Sequence, residues 1–510
     1  MSGQANKGVV AAGHAVTAEA AVEILAAGGN AFDAIVAAAL AAPVVEPALT
    51  SIAGGGFLLA AGPSVEPVLF DFFTQTPRQR RPKEAVEFHA VLANFGATTQ
   101  EFHVGMGAAA TPGMIPGLFH VHRRLCSLPF ERLIEPAVVK ARDGVVVNDM
   151  QSYFLDILRP IFTFSAPAAR TFGPNRDGTD PLAQPGDTVR NGDYADLLLT
   201  LGREGERLVR DGEVAQQIAR MSAEHGGHLT VDDFTHYKVV ERTPLAVDYH
   251  GRRIVTNPPP SAGGLLIGFA LRLLAGGPAP DPGRLVEVMR LTNQARIDSA
   301  MADQGAAAAA AKLLDPNFLK RYRDAILGRP RTSRGTTHIS VIDSTGNAAA
   351  LTSSNGEGCG LVVPGTGMML NNMMGEEDLH PGGFDAWATD TRISSMMAPT
   401  LILDERPTAL GSGGSNRLRS AILQVLINLI DHTMAPEDAV AAPRLHHERD
   451  FLNIEGGTDP ATIADLTQHY PDHRVWPGRN MFFGGVHLAA ADGTGAGDPR
   501  RGGVVRRAPA

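Results

Sequence analysis

One short segment constrains this chain more than any other: a loop rich in helix and strand breakers, followed directly by a hairpin. Residues 327–335 (LGRPRTSRG) are polar and basic and contain glycine and proline, so they predict an exposed loop. Residues 336–343 (TTHISVID) have strand character, and the turn 344–347 (STGN) separates them from a second predicted strand, 348–353. The predicted hairpin therefore begins at Thr336, directly after this predicted loop. The pattern alone is compatible with a catalytic threonine and with an ordinary surface hairpin.

Composition excludes several classes of protein. The length of 510 residues allows about three domains, and 44% apolar with 19% charged residues is ordinary for a globular chain. A net charge of −9 gives no electrostatic reason to bind nucleic acid or anionic lipid. Cys126 and Cys359 are the only cysteines, which excludes a disulfide framework and fits a reducing compartment. The N-terminus lacks the apolar core of a secretory signal, and the best apolar stretch, 31–45, is too short to span a bilayer. We therefore expect a cytoplasmic protein without nucleic-acid or membrane partners.

The first 45 residues predict two helices. Thr17 is a candidate N-cap for a helix that ends near Ala27, where two glycines follow. Asn30 is a candidate N-cap for the next helix, with Asp33 at its third position and Pro43 as its stop.

Residues 54–310 show less distinctive patterns. The glycine-rich turn at 54–56 leads into a predicted strand at 57–60, and no Lys-Ser/Thr pair follows it, which argues against a phosphate loop. Residues 133–310 are mainly of helical pattern, and 258–264 (PPPSAGG) predict a rigid loop before an apolar helix. The chain shows no internal repeat of solenoid length.

Several short blocks resemble one known family, and they occur in that family's order. They are 28–34 (GGNAFDA), 45–47 (VEP), 54–57 (GGGF), 141–144 (ARDG), 241–244 (ERTP), 258–261 (PPPS), 336–343 (TTHISVID), 346–348 (GNA), 364–367 (PGTG), 370–372 (LNN) and 443–447 (PRLHH). Together they cover nearly the whole chain. The sequence thus resembles the γ-glutamyltransferase family, whose members are N-terminal-nucleophile hydrolases.

This resemblance implies a fold and a maturation step. The fold is α+β, a four-layer αββα sandwich. Members cleave themselves before the first threonine of the hairpin, here between Gly335 and Thr336, giving fragments 1–335 and 336–510. We expect one intertwined domain in which the two fragments form a heterodimer, with further dimerisation left open. The expected ligand is a small-molecule substrate, and no cofactor is implied.

Chemistry agrees with a threonine nucleophile at a new N-terminus. A threonine hydroxyl needs a base to remove its proton at neutral pH. Cleavage would release the α-amine of Thr336, and such amines have a pKa of about 7.7–8.0, suited to a general base. Nucleophile and base would then belong to one residue.

The resemblance also implies partners for the nucleophile. The family's second hydroxyl falls on Ser354. A shift of one residue would move it to Ser353 and match Asn355 to the family's substrate-binding asparagine. The paired serines that contact substrate are present as Ser394 and Ser395.

The expected oxyanion hole is the glycine-rich loop 411–416 (GSGGSN). Its backbone N–H donors would be those of Gly414 and Ser415, with the pair Gly413 and Gly414 as the alternative. Removing one such donor typically costs about 10²–10³ in rate.

The chain departs from the family where the γ-glutamyl head group binds. Members carry an arginine after the Asp-Phe pair, and this chain has Phe73 there. Members carry Gln or Glu after the Asn-Asn pair and an acid three residues on, where this chain has Met373 and Glu376. We therefore expect Phe73 and Glu376 to contact a non-standard acyl substrate.

Three alternatives stay open. A conventional γ-glutamyl hydrolase or transpeptidase could recruit another arginine, such as Arg78 or Arg392. A branch of the family associated with alkylproline antibiotic pathways is thought to hydrolyse a carbon–carbon bond. A binding or structural role is the third. Metal catalysis has little support, because adjacent His446 and His447 do not easily face one ion.

Overall fold

Two antiparallel sheets form the centre of the protein in a computed structural model, which describes residues 6–94, 99–174, 180–299, 301–323, 336–380, 383–414, 417–448 and 451–510. The strands are β1 Gly8–Ala12, β2 Gly55–Gly62, β3 Val65–Phe72, β4 His89–Asn94, β5 Thr99–Val104, β6 Val145–Val146, β7 Thr188–Val189, β8 Val240–Arg242, β9 Leu245–Tyr249, β10 Arg252–Thr256, β11 Thr337–Asp343, β12 Ala348–Ser354, β13 Val362–Val363, β14 Met368–Met369, β15 Thr400–Leu403, β16 Thr408–Gly413, β17 Leu445–Glu448, β18 Phe451–Ile454, β19 His473–Val475, β20 Gly485–Ala490, β21 Gly495–Ala496 and β22 Val504–Ala508.

The described residues also form helices. They are α1 Ala15–Ala26, α2 Ala31–Val45, α3 Met114–Leu125, α4 Phe130–Asp143, α5 Asp149–Ile157, α6 Arg159–Phe162, α7 Ala166–Phe172, α8 Gly192–Glu204, α9 Arg207–Arg210, α10 Glu213–Glu224, α11 Val231–His236, α12 Ala262–Leu274, α13 Pro282–Asp298, α14 Met301–Leu314, α15 Pro316–Arg323, α16 Arg417–Ile430, α17 Pro436–Ala441 and α18 Pro460–His469.

The layers follow the order helix, sheet, sheet, helix. The first sheet has the strand order β22-β1-β11-β12-β2-β3-β8, and the second has β21-β20-β16-β15-β10-β9. Helices α1 and α2 pack on the outer face of the first sheet, α12 and α16 pack on that of the second, and β11 and β12 face β16 across the interface. The predicted αββα sandwich is confirmed.

Both sheets mix strands from the two sides of residue 335. The first sheet places β11, β12 and β22 among β1, β2, β3 and β8, and the second joins β9 and β10 to four later strands. Strand β11 pairs with β1 on one side and β12 on the other, so the start of β11 lies near the middle of the first sheet.

Strand β11 shows why this sequence occupies the centre. Successive side chains of a strand point to opposite faces. Ile339 and Val341 belong to the core under α1 and α2, whereas Ile342 belongs to the core between the sheets. Apolar residues on both faces are typical of a strand that is covered on both sides.

The sequence-based helix predictions are partly correct. Asn30 caps α2 in a capping box with Asp33, as predicted. Thr17 does not cap α1, because His14 does so by accepting a hydrogen bond from the N–H of Val16. Pro43 lies inside α2, which continues to Val45. In the part of the chain that the structure describes, no helix is both long and apolar enough to cross a membrane.

The glycine-rich turn at 54–56 serves close packing. A methyl group on Gly54 would lie 2.3 Å from the carbonyl oxygen of Ser354, and one on Gly55 would lie 2.7 Å from the backbone nitrogen of Thr74. Such distances leave no room for a side chain. The turn thus brings the end of β12 and the segment after β3 together, and both segments carry predicted site residues.

Candidate active site

Thr336 lies at the entrance to β11 and is 4% exposed. Its carbonyl oxygen accepts a hydrogen bond from Nη1 of Arg501, with an N–O distance of 3.3 Å. Gly413, at the end of β16, faces the same oxygen, since a methyl group there would lie only 2.1 Å away. The predicted nucleophile and the predicted glycine loop therefore meet, although they come from different sheets.

The register between β11 and β12 separates the two candidate second hydroxyls. Thr337 pairs with Ser353, so Ser354 lies across from Thr336 if the register continues by one residue. The hydroxyl of Ser353 contacts that of Thr50 at 3.0 Å on the helix side of the sheet. The Ser354 hydroxyl accepts a hydrogen bond from the N–H of Gly356 at 3.0 Å. By strand alternation, Ser354 shares its face with Thr336, and Ser353 shares its face with Thr337.

His338 is a buried structural residue of the hairpin. Its Nδ1 contacts the hydroxyl of Thr352 at 2.7 Å, and its Nε2 contacts that of Ser340 at 2.9 Å. Burial holds the pKa of His338 well below its ordinary value, so the ring is neutral. Gly411 leaves space for it, because a methyl group there would lie 2.3 Å from the ring.

The glycine loop is described only in part. Gly413 ends β16, and Gly414 has a φ of +117°, in the region that favours glycine. Ser415 lies outside the described residues, as does Gly335 of the predicted cleavage site. The choice between the two candidate oxyanion pairs stays a prediction.

Asn355 is a buried amide at the end of β12. It is 0% exposed, and among the described residues neither its Oδ1 nor its Nδ2 has a hydrogen-bond partner. Its carbonyl oxygen accepts from the N–H of Asn372 at 3.3 Å. Next to it, a methyl group on Gly356 would lie 2.5 Å from Oε1 of Glu376, so Asn355 and Glu376 occupy neighbouring positions.

The paired serines lie on a separate segment. The hydroxyl of Ser394 donates to the carbonyl oxygen of Pro260 at 2.8 Å, and that of Ser395 accepts from the N–H of Met397 at 3.1 Å. The carbonyl oxygen of Ser395 accepts from the hydroxyl of Ser261. The predicted rigid loop before α12 thus holds the serine pair in place.

The two departures from the family fall into one apolar cluster. Phe73 and Met373 are each 1% exposed and belong to the core between the sheets, together with Ile393. The ring of Phe73 stacks on that of Phe57 with centroids 5.4 Å apart. The position where members carry a cation and the position where they carry a polar partner are therefore both filled by packed side chains.

The arginines considered as substitutes are already engaged. Arg392 donates to the carbonyl oxygen of Phe73 and to the hydroxyl of Tyr237, and its Nε lies 3.6 Å from the carboxylate of Asp71. Arg78 forms ion pairs with Asp232 at 2.8 Å and with a second aspartate, Asp390, at 2.5 Å.

The sequence analysis did not name as site residues two charged residues that contact Thr336 and Thr337, namely Arg501 and Glu46. Burial lowers the pKa of Arg501 to about 10 and raises that of Glu46 to about 7. An acid following an apolar helix was a visible signal for Glu46. Arg501 carries no local signal, because only the fold brings it to Thr336.

The described residues include no cluster of three or more His, Cys, Asp or Glu side chains suited to a metal ion.

Comparison with known proteins places this chain in a family. The gamma-glutamyltranspeptidase family matches residues 17–508. The glutathione hydrolase proenzyme of Escherichia coli (strain K12) is 29% identical over 91% of this chain and 85% of its own length. The acylase ACY 1 proenzyme of Pseudomonas sp. (strain SE83) is 31% identical over 90% of this chain and 86% of its own length. The crystal structure of cephalosporin acylase from Bacillus halodurans has the same fold, with a TM-score of 0.83, 22% identity, and coverage of 99% of this chain and 96% of that one. The chain therefore belongs to the gamma-glutamyltranspeptidase family of enzymes.

Proposed function

We propose that this protein is a self-processing N-terminal-threonine hydrolase or acyltransferase with Thr336 as its nucleophile. The observation that carries the proposal is the meeting of the Thr336 carbonyl with Gly413 of the opposite sheet, at the start of a central strand. Two relatives of this chain are proenzymes by name, which supports a maturation step.

Self-cleavage would proceed by transfer of one acyl group. The Thr336 hydroxyl attacks the carbonyl carbon of Gly335, the peptide C–N bond breaks, and an ester joins Gly335 to the Thr336 oxygen. Water then hydrolyses the ester, leaving a carboxylate on Gly335 and both a free hydroxyl and a free α-amine on Thr336. The two fragments would stay associated, because both sheets contain strands from each of them.

Turnover would repeat the same chemistry on a substrate. The α-amine of Thr336 takes the hydroxyl proton, the oxygen attacks the acyl carbon, and the leaving amine receives the proton. Water or an acceptor amine then removes the acyl group. Backbone N–H groups of Gly414 and Ser415, or of Gly413 and Gly414, would stabilise the oxyanion. Ser354 would orient Thr336 from the same strand face.

The substrate would carry an acyl group without the γ-glutamyl α-carboxylate. Phe73 and Met373 fill the positions where members carry charged or polar groups, and both pack in the apolar cluster with Ile393. Arg392 and Arg78 already contact other groups, so neither offers a substitute cation. An acylase-type substrate is therefore favoured over a glutathione-type one.

Asn355 and Glu376 would supply the polar contacts to this substrate. A buried amide without partners costs free energy, since buried polar groups in proteins are nearly always hydrogen-bonded. A bound substrate could satisfy both amide atoms of Asn355. The neighbouring carboxyl of Glu376 would suit an amine or a ring N–H.

The test compares two anilides on the purified, processed protein: γ-glutamyl anilide and its analogue without the α-carboxylate. A carboxylate buried without its cation costs roughly 3–5 kcal/mol, so we expect kcat/KM to be lower for the γ-glutamyl compound by about two to four powers of ten. Thr336→Ala protein serves as the inactive control. A kcat/KM for the γ-glutamyl anilide that equals or exceeds that of its analogue would favour a conventional γ-glutamyl hydrolase or transpeptidase. An alkylproline precursor in the same panel tests whether the protein hydrolyses a carbon–carbon bond.

A further inference from the structure

A buried carboxyl group holds the second residue of the hairpin. Glu46 follows α2 and is 7% exposed. Its Oε1 accepts a hydrogen bond from the hydroxyl of Thr337 at 2.9 Å, and its Oε2 accepts from that of Thr17 at 3.1 Å. Both carboxylate oxygens therefore have hydroxyl donors, one from β11 and one from α1.

The space around this carboxyl is tightly fitted. A methyl group on Gly13 would lie 2.4 Å from Oε1 of Glu46 and 3.3 Å from the hydroxyl of Thr337. Gly13, directly after β1, thus has no room for a side chain beside this contact. A shift of Thr337 away from Glu46 would leave a buried acceptor unsatisfied.

A buried guanidinium group holds the first residue of the hairpin. Arg501 is 5% exposed and donates to the carbonyl oxygen of Thr336. Its charge and that of Glu46 attract each other, and Asp498 contributes a second negative charge. Arg501 thus holds the backbone of Thr336, and Glu46 holds the side chain of Thr337.

We propose that Glu46, with Arg501, positions the first two residues of β11 so that the Thr336 hydroxyl reaches its acyl target; Glu46 is then a positioning residue that acts through Thr337. The inference rests on the proposed role of Thr336. Reacting groups must be placed to within a fraction of an ångström, and a displacement of about 1 Å can cost 100-fold in rate.

The hydrogen bonds of Glu46 depend on whether its carboxyl group is ionised. Burying a carboxyl is costly unless it is hydrogen-bonded, and the end of α2 around it is apolar. The ionised form is the one that accepts from both hydroxyls, whereas a protonated carboxyl must use one oxygen as a donor. The arrangement is therefore completed by ionisation of Glu46, which burial opposes and Arg501, Thr337 and Thr17 favour. Two further charged or titratable residues, His14 and Arg501, line the same cleft.

Self-cleavage of freshly synthesised full-length chain is the sharpest readout, because the α-amine of Thr336 does not yet exist and cannot contribute to the pH dependence. The rate is followed on gels after cell-free synthesis, at pH values from 5.5 to 8.5. We expect the wild-type rate to rise about tenfold through neutral pH, and Glu46→Gln to be slower at pH 8 by about tenfold and nearly independent of pH. Glu131→Gln, a surface glutamate on α4, is the matched control and should behave as wild type.

A second pair of variants isolates the hydroxyl of Thr337. Thr337→Val keeps the shape and removes the donor, so we expect it to be about tenfold slower, whereas Thr337→Ser should recover most of the rate. If Glu46→Gln does not fold, the two Thr337 variants alone test the proposal. Wild-type rates in Glu46→Gln and Thr337→Val, or an equal loss in Thr337→Ser and Thr337→Val, would overturn the proposal. Cleavage of Thr336→Ala chain would instead refute the proposed nucleophile, whatever the Glu46 variants show.

Discussion

Replacement of Gly413 by alanine tests the contact between the two sheets at Thr336, the proposed nucleophile. The added methyl group would lie 2.1 Å from the carbonyl oxygen of Thr336 and 3.2 Å from Nη1 of Arg501. A carbon atom approaches a carbonyl oxygen to no less than about 3.3 Å, so one of the two segments must move by about 1 Å. The Thr336 oxygen belongs to the backbone, so side-chain rotation cannot relieve this overlap, whereas the Arg501 side chain can move away.

A displacement of this size has a predictable effect on rate. We expect self-cleavage of Gly413→Ala to be slower by about 100-fold, which corresponds to about 2.7 kcal/mol in the activation barrier. The assay follows conversion of the full chain into its two fragments on gels after cell-free synthesis. Gly192→Ala is the matched control, because a methyl group at the start of α8 meets no atom within 4 Å. Wild-type cleavage of Gly413→Ala would show that Thr336 does not need this contact.

Three further predictions concern stability. Asn30→Ala removes the acceptor for the N–H groups of Phe32 and Asp33 at the start of α2 and should lower the unfolding free energy by about 1 kcal/mol in urea titrations; an unchanged midpoint would contradict the capping role. Phe73→Arg places a guanidinium at a position that is 1% exposed and should cost roughly 3–5 kcal/mol, with Phe73→Leu as the milder control in thermal melts. The pKa of Glu46 is raised from 4.5 to about 7, so between these values the unfolded carboxyl loses its proton while the folded one keeps it. The unfolding free energy should therefore fall by roughly 3 kcal/mol from pH 4.5 to 7 through this group. Glu46→Gln should remove that slope, and an identical pH dependence of the urea midpoint in both proteins would contradict the raised pKa.

Local features were predictable from the sequence. The hairpin of β11 and β12 follows from strand-forming residues around a Ser-Thr-Gly-Asn turn, and the α2 cap follows from Asn30 with Asp33 three residues later. The prediction for Thr17 was wrong because its hydroxyl donates to Glu46 instead. That competing partner is 29 residues away in the chain, so a local rule for N-caps cannot detect it.

Contacts between residues far apart in the chain could not be predicted from the sequence pattern. Nothing local indicates that β11 inserts between β1 and β12, or that Arg501 contacts Thr336. The candidate site residues were named through the family resemblance, and their contacts become visible only when the two sheets are assembled. The burial of Phe73 is an example: its departure from the family was evident, whereas its packing on Phe57 depends on a turn of three glycines.

The mass and N-terminal sequence of the smaller fragment test the central claim most directly. Purified protein should separate on denaturing gels into two chains, the smaller beginning Thr-Thr-His at Thr336. Thr336→Ala should remain a single uncut and inactive chain, whereas Thr337→Ala should still be cut, more slowly. A Thr336→Ala chain cut at the same bond, or a smaller fragment that begins at another residue, would contradict the assignment of Thr336 as the nucleophile.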